Sequence, residues 1–181
     1  MFSADARATL RVAPHIQRVL IVEPIPDSAK LLAELMKQMG SSECRIAPTG
    51  SRALELLSDY PFQVIFTEFA GPDLDGLDLT QRLRHSTWPS RKAPVIMVTA
   101  EATQASITGA RNAGAHEFLR KPYTAGDLFR RIENVVTKPR PWIEAVMYVG
   151  PDRRRFNSGE FPGSMKRRSD DFQAAQAAKA S

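Results

Sequence analysis

Cysteine is nearly absent from this 181-residue chain, and the single one, Cys44, has no partner for an internal disulfide. A disulfide-stapled fold is excluded, and a lone thiol fits a reducing compartment. Long apolar runs are missing too. None approaches the ~18 residues of a membrane-crossing helix, and the first sixteen residues lack the continuous hydrophobic segment of a secretory signal. A cytoplasmic location without membrane insertion is the expectation. Histidine is scarce, and His15, His85 and His116 stand apart from one another and from Cys44, so no metal-ligand spacing is present. No set of nucleophile, base and orienting group is visible, which argues against an enzyme.

What the chain does have is four short apolar runs, each ending at a residue able to do chemistry. Val19-Leu20-Ile21-Val22 stops at Glu23, Val64-Ile65-Phe66 leads to Glu68, Val95-Ile96-Met97-Val98 stops at Thr99, and Phe118-Leu119 leads to Lys121. Continuous apolar runs of this length fit strands covered on both faces, as in a parallel sheet wrapped by helices. Loops at the carboxyl ends of such strands form the ligand crevice. Two acids, a hydroxyl and an ammonium are therefore expected to meet there.

The intervening segments have helical spacing. Asp27 is placed to cap a helix carrying Leu31, Leu32, Leu35 and Met36, with Gly40 as its stop; Thr49 caps one carrying Ala53, Leu54, Leu56 and Leu57. A weak strand at 43–47 separates them. A turn-rich loop, Gly71-Pro72-Asp73-Leu74-Asp75-Gly76, precedes a helix with Leu77, Leu79 and Leu83, and further helices are expected over about 103–113 and 124–136. Five strands alternating with five helices predict a doubly wound α/β domain. Apolar content of 43% suffices for its core.

In order and spacing, the stretches Val22-Glu23-Pro24, Glu68 through Asp75-Gly76, Val98-Thr99-Ala100 and Gly114 through Lys121-Pro122 resemble the receiver domain of bacterial response regulators. The resemblance covers roughly Arg18 to Val136 and implies a flavodoxin-like, CheY-like sheet of order 2-1-3-4-5. It also implies a cis bond before Pro122, a switch aromatic at Phe118, and two-component signalling. The expected organisation is an N-terminal extension over 1–16 with no readable role, a receiver-like domain over 17–137 and a basic tail over 138–181.

The departures from the family pattern concern the phosphoacceptor pocket. Receivers usually carry two adjacent acids after the first strand and an aspartate after the third, which hold Mg²⁺ and accept a phosphoryl group. Here the pair is Glu23-Pro24 and the acceptor position is Glu68. Proline removes a carboxylate, and Mg²⁺ tolerates poor geometry badly. The expectation is a degenerate pocket of Glu23, Glu68, Thr99 and Lys121, in which Glu68 accepts hydrogen bonds from Lys121 and Thr99 and mimics a phosphorylated state. Weak but real phosphorylation is the alternative. Simpler roles also stand: Thr99 as the end of a strand and Phe118 as plain core.

Charge divides unevenly. Residues 1–137 hold 16 Lys+Arg against 15 Asp+Glu, or +1, and residues 138–181 hold 9 against 5, or +4. The tail contains a repeat: Tyr148-Val149-Gly150-Pro151-Asp152-Arg153-Arg154-Arg155 aligns with Phe161-Pro162-Gly163-Ser164-Met165-Lys166-Arg167-Arg168. Aromatic, glycine and three cations recur together, which implies a two-fold symmetric ligand or two copies of one ligand. Arginine pairs bidentately with guanine O6 and N7, stacks on bases and neutralises phosphate. Arg167 to Asp170 and Arg168 to Asp171 both read Arg-x-x-Asp, a spacing used at cyclic di-GMP sites, where the carboxylate takes guanine donors.

The combination resembles the Cle group, CheY-like receivers with an arginine-rich extension that binds cyclic di-GMP and acts at the flagellar motor. The resemblance implies a ligand site of Tyr148, Gly150, Asp152, Arg153, Arg154, Arg155, Gly163, Lys166, Arg167, Arg168, Asp170 and Asp171, ordering of the tail on binding, and a motor-switch protein as partner. A phosphorylation-dependent single-domain regulator is one alternative. A receiver with a nonspecific nucleic-acid-binding tail is another, although nucleic acid is not the expected partner.

Overall fold

The computed structural model describes residues 6–71 and 73–154. Five strands form one parallel sheet: β1 (Arg18–Val22), β2 (Glu43–Ala47), β3 (Val64–Glu68), β4 (Val95–Thr99) and β5 (Glu117–Arg120). Their order is 2-1-3-4-5, as the family resemblance implies. A two-residue ladder, Ala70–Gly71 with Leu74–Asp75, folds the loop after β3 on itself and stands outside that sheet.

Alternation along each strand builds two cores. Val19, Ile21, Phe66, Ile96 and Val98 face α2 (Pro26–Gln38) and α6 (Ala125–Thr137), while Leu20, Val22, Ile65, Val95 and Met97 face α3 (Gly50–Asp59), α4 (Gly76–His85) and α5 (Gln104–Ala113). Each fully buried aliphatic contributes roughly 1.5–3 kcal/mol. Two faces covered by helices explain why these strands read as unbroken apolar runs.

Local chemistry sets the helix ends. Thr49 accepts from Arg52 N–H as expected, and Thr103 and Thr124 open α5 and α6 with capping boxes. Asp27 does not cap α2. The helix starts two residues earlier, at Pro26, with Ile25 as the boundary residue and Asp27 inside the first turn.

Two segments extend the domain beyond the expected limits. Helix α1 (Ala6–Val12) and the following turn send Ala8, Val12 and Ile16 into the core beside α6, so the described part of this extension, residues 6–16, has a packing role. At the other end, β6 (Trp142–Ala145) and β7 (Tyr148–Pro151) form an antiparallel hairpin. The chain divides into one unit over Met1–Pro151 and another over Asp152–Ser181, and the hairpin belongs to the first. In the second unit, Asp152 Oδ1 accepts the Arg154 N–H at 3.0 Å.

Candidate functional site

Parallel pairing brings the strand-ending residues to one edge. Thr99 lies opposite Arg120 in the β4–β5 register, and the next residue, Lys121, donates its backbone N–H to the Thr99 carbonyl at 2.7 Å. The Lys121–Pro122 bond is cis. From this position the Lys121 ammonium reaches across the sheet to two carboxylates, Glu23 Oε2 at 2.6 Å and Glu68 Oε2 at 2.5 Å.

Both acids have further donors. Glu23, which is buried, accepts from the Ile25 N–H and the Ser28 hydroxyl, each at 3.0 Å. Its carboxylate thus sits at the start of α2, where the helix dipole favours negative charge. Glu68 Oε1 accepts from the Phe69 N–H at 3.1 Å. Burial alone would lower the Lys121 pKa, but the hydrogen bonds it donates to Glu23 and Glu68 outweigh it, and the ammonium is held above its ordinary value. Burial likewise pushes the neighbouring Tyr123 phenol up.

Pro24 shapes the remaining wall. Its ring packs on Gly71, where an added Cβ would lie 2.9 Å from Pro24 Cγ. Thr99 departs from expectation: its hydroxyl accepts from the Glu101 N–H at 3.2 Å rather than donating to Glu68. Phe118 is half-buried against the β-sheet face that carries α3, α4 and α5.

A second polar centre lies at the opposite end of α4 and was not visible in the sequence. Arg84 is completely buried. Its Nε donates to the Gly114 carbonyl at 3.0 Å, Nη1 to the carbonyls of Arg91 at 2.6 Å and Ala93 at 3.0 Å, and Nη2 to His116 Nδ1 at 3.3 Å. Burial draws the Arg84 pKa down to about 9, so the group is still a cation at neutral pH. His116 Nδ1 also accepts from the Val95 N–H. Two donors on one nitrogen require a neutral ring with its proton on Nε2. Burial, then the charges of Arg84 and Arg140, hold His116 well below its ordinary pKa. The only sequence signal was an arginine four residues after Thr80 and one after Leu83, within the buried stripe of α4.

The hairpin closes over this centre. Trp142 places its ring 5.5 Å from Arg84 Cζ, within cation–π range. Gly150, at φ +154°, lies against Gly114, at φ +98°. Tyr148 is only 6% exposed and its hydroxyl donates to the Pro151 carbonyl at 2.6 Å. Tyr148 and Gly150 are thus packing residues of the folded unit, and the Tyr148 ring is not available for stacking in this arrangement. Asp152, Arg153 and Arg154 follow Pro151 directly. Arg155, Gly163, Lys166, Arg167, Arg168, Asp170 and Asp171 lie outside the described residues.

A doubly wound domain with an acid after β1, an acid closing β3, a hydroxyl closing β4 and a lysine after β5 has the architecture of a signalling receiver. The family model of the response regulator receiver domain matches residues 19–133, and the chain belongs to that family. It is 30% identical over 118 residues to the chemotaxis protein CheY of Pseudomonas aeruginosa, covering 65% of this chain and 94% of the relative. Against chemotaxis protein CheY-3 of Vibrio cholerae the identity is 28%, covering 65% and 90%. The solved structure of Vibrio cholerae CheY4 superposes with a TM-score of 0.62 at 22% identity, covering 66% of this chain and 98% of that one. Among the described residues no helix is long and apolar enough to cross a membrane.

Proposed function

We propose that this receiver is a non-enzymatic signalling effector whose pocket does not cycle phosphate and whose arginine-rich tail binds cyclic di-GMP, regulating a protein partner at the flagellar motor. The observation that carries the first part is the Lys121 ammonium seated between Glu23 and Glu68. It supplies internally the cation that two facing carboxylates require. Mg²⁺ fits this donor set poorly: Pro24 offers no carboxylate, and Oε2 of both Glu23 and Glu68 already holds an ammonium. Among the described residues no group of three His, Cys, Asp or Glu converges. In-line phosphoryl transfer depends on positioning and on metal electrostatics, so a pocket organised around its own lysine is a structural lock.

Support for the second part comes from composition and spacing. The two basic runs, Arg153 to Arg155 and Lys166 to Arg168, the latter with two Arg-x-x-Asp steps, carry the guanidinium and carboxylate groups that suit a symmetric guanine dinucleotide, while Tyr148 and Gly150 serve the fold. Membership in the receiver family and likeness to chemotaxis proteins favour a motility partner. Calorimetric titration of cyclic di-GMP into the full chain, and into a chain ending at Pro151, tests this reading. Heat with the first and much less with the second is expected. No heat with the intact chain, or equal response to cyclic di-AMP, would refute it.

A further inference from the structure

The hairpin root holds a basic, aromatic cluster that neither the receiver pocket nor the tail repeat accounts for. Three cations from two segments surround the Trp142 ring: Arg84 Cζ at 5.5 Å, Arg91 Cζ at 5.9 Å and Lys92 Nζ at 5.7 Å from its centroid. The described partners of Arg84 are carbonyls and a neutral imidazole, with no carboxylate. A buried cation balanced only by dipoles projects its field outward through low-dielectric surroundings. Lys92 is exposed and makes no ion pair among the described residues.

One carboxylate oxygen touches two members of this cluster. Glu144 Oε1 accepts from Trp142 Nε1–H at 2.9 Å and faces Arg91 Nη1 at 3.3 Å. The same oxygen therefore has an indole N–H on one side and a guanidinium on the other, which is the donor arrangement an oxyanion needs. The Glu144 side chain is about half exposed, at 53%, and Arg91 is 29% exposed. Exposed ion pairs of this kind are held weakly. Glu144 can rotate into solvent, and an anion entering from outside would meet the same two donors, with Lys92 unopposed beside them.

We infer that Arg91, Lys92 and Trp142 form a phosphate-docking site on the folded unit, with Glu144 as a built-in competitor that a phosphate group displaces. The inference deepens the function proposed above and rests on that reading for the identity of its ligand, a phosphate of cyclic di-GMP. The shared chemistry, a phosphate oxyanion, is also offered by inorganic phosphate, and the test separates the two. The site lies at the amino ends of β4 and β5, since Arg84 is tied to the segment before Val95 and to Gly114. It is thus remote from the acids and Lys121 at the carboxyl ends.

Trp142 is the natural reporter, because the chain has only one other tryptophan, Trp88. In a full-length Trp88→Phe background, cyclic di-GMP should change Trp142 emission with the affinity measured by calorimetry. Lys92→Ala should weaken binding about tenfold, as expected for a lost charge-assisted contact. Glu144→Gln should tighten it, because the competitor loses its charge while Arg91 is released. Arg91→Lys keeps the charge and tests the fork geometry, with weaker binding expected. If calorimetry shows dinucleotide binding while Trp142 stays silent and Lys92→Ala and Glu144→Gln bind as the parent does, this inference is overturned and the tail reading survives. If calorimetry shows no dinucleotide binding, the proposed function fails, and titration of inorganic phosphate decides the site. A Trp142 response tightened by Glu144→Gln supports it as a phosphate site, and no response overturns it.

Discussion

Arg84 Nε donates to the Gly114 carbonyl at 3.0 Å, and Gly150 of the hairpin packs directly on Gly114. One side chain on α4 therefore holds together the end of α5, the segment before β4 and the C-terminal hairpin. Arg84→Met keeps the length but removes every donor, leaving the carbonyls of Gly114, Arg91 and Ala93 without this partner. Each unsatisfied buried group costs about 1–3 kcal/mol, so the loss should be on the order of 3–5 kcal/mol, measured by urea unfolding. Limited proteolysis should also cut near Val146 sooner in this variant, because the hairpin loses its anchor.

Gly150 is the second anchor of that contact. An alanine Cβ would lie 2.7 Å from the Tyr148 hydroxyl and 3.2 Å from Gly114 Cα, on a backbone at φ +154°. Gly150→Ala should cost about 1–3 kcal/mol, read in the same unfolding experiment, with the Tyr148 ring becoming more accessible to iodination.

His116 gives the fold an acid sensitivity. Its folded pKa is depressed well below 6.5 by burial and by Arg84 and Arg140. As pH falls through 6.5 the unfolded chain binds a proton that the native chain refuses, so stability is present above 6.5 and lost below it. The slope attributable to this residue approaches about 1.4 kcal/mol per pH unit. His116→Gln retains an acceptor for Arg84 and Val95 but does not titrate. Its stability should fall less between pH 6.5 and 5 than that of the parent, measured by urea denaturation at stepped pH.

Lys121 works in the opposite direction. Its folded pKa is raised above 10.5, so its stabilisation is complete below that value and is lost as pH rises through the folded value. Replacing it by methionine leaves the Glu23 and Glu68 carboxylates facing each other without their shared donor. Lys121→Met should lose about 1–3 kcal/mol at pH 8 and recover part of it at pH 5. Comparison of urea midpoints at the two pH values measures this.

Much of this arrangement was written in residue types. The β-strands are legible because Val19–Val22 and Val95–Val98 are apolar on both faces, and the positions of Glu23, Glu68, Thr99 and Lys121 follow from strands ending in register. The meeting of Lys121 with both acids was legible, while its hydrogen bond to Glu23 at 2.6 Å depends on side-chain reach that residue types do not give. Thr99 stands at the expected strand end, but its hydroxyl contact is with the Glu101 N–H, a backbone group that leaves no mark in residue type. The Arg84 centre was hidden for the same reason: its acceptors are mostly carbonyls, which every residue carries. The hairpin was hidden because Trp142–Pro151 is too short and too polar at its edges to announce two strands, and it is held from outside by Gly114 and Arg84.

The central claim is that this receiver keeps its pocket closed with its own lysine. Incubation of the full chain with acetyl phosphate and Mg²⁺, followed by intact-mass measurement, addresses that claim most directly. The account predicts a single unmodified mass for the parent protein. A stable phosphoryl adduct mapping to Glu68 or a neighbouring residue would contradict it.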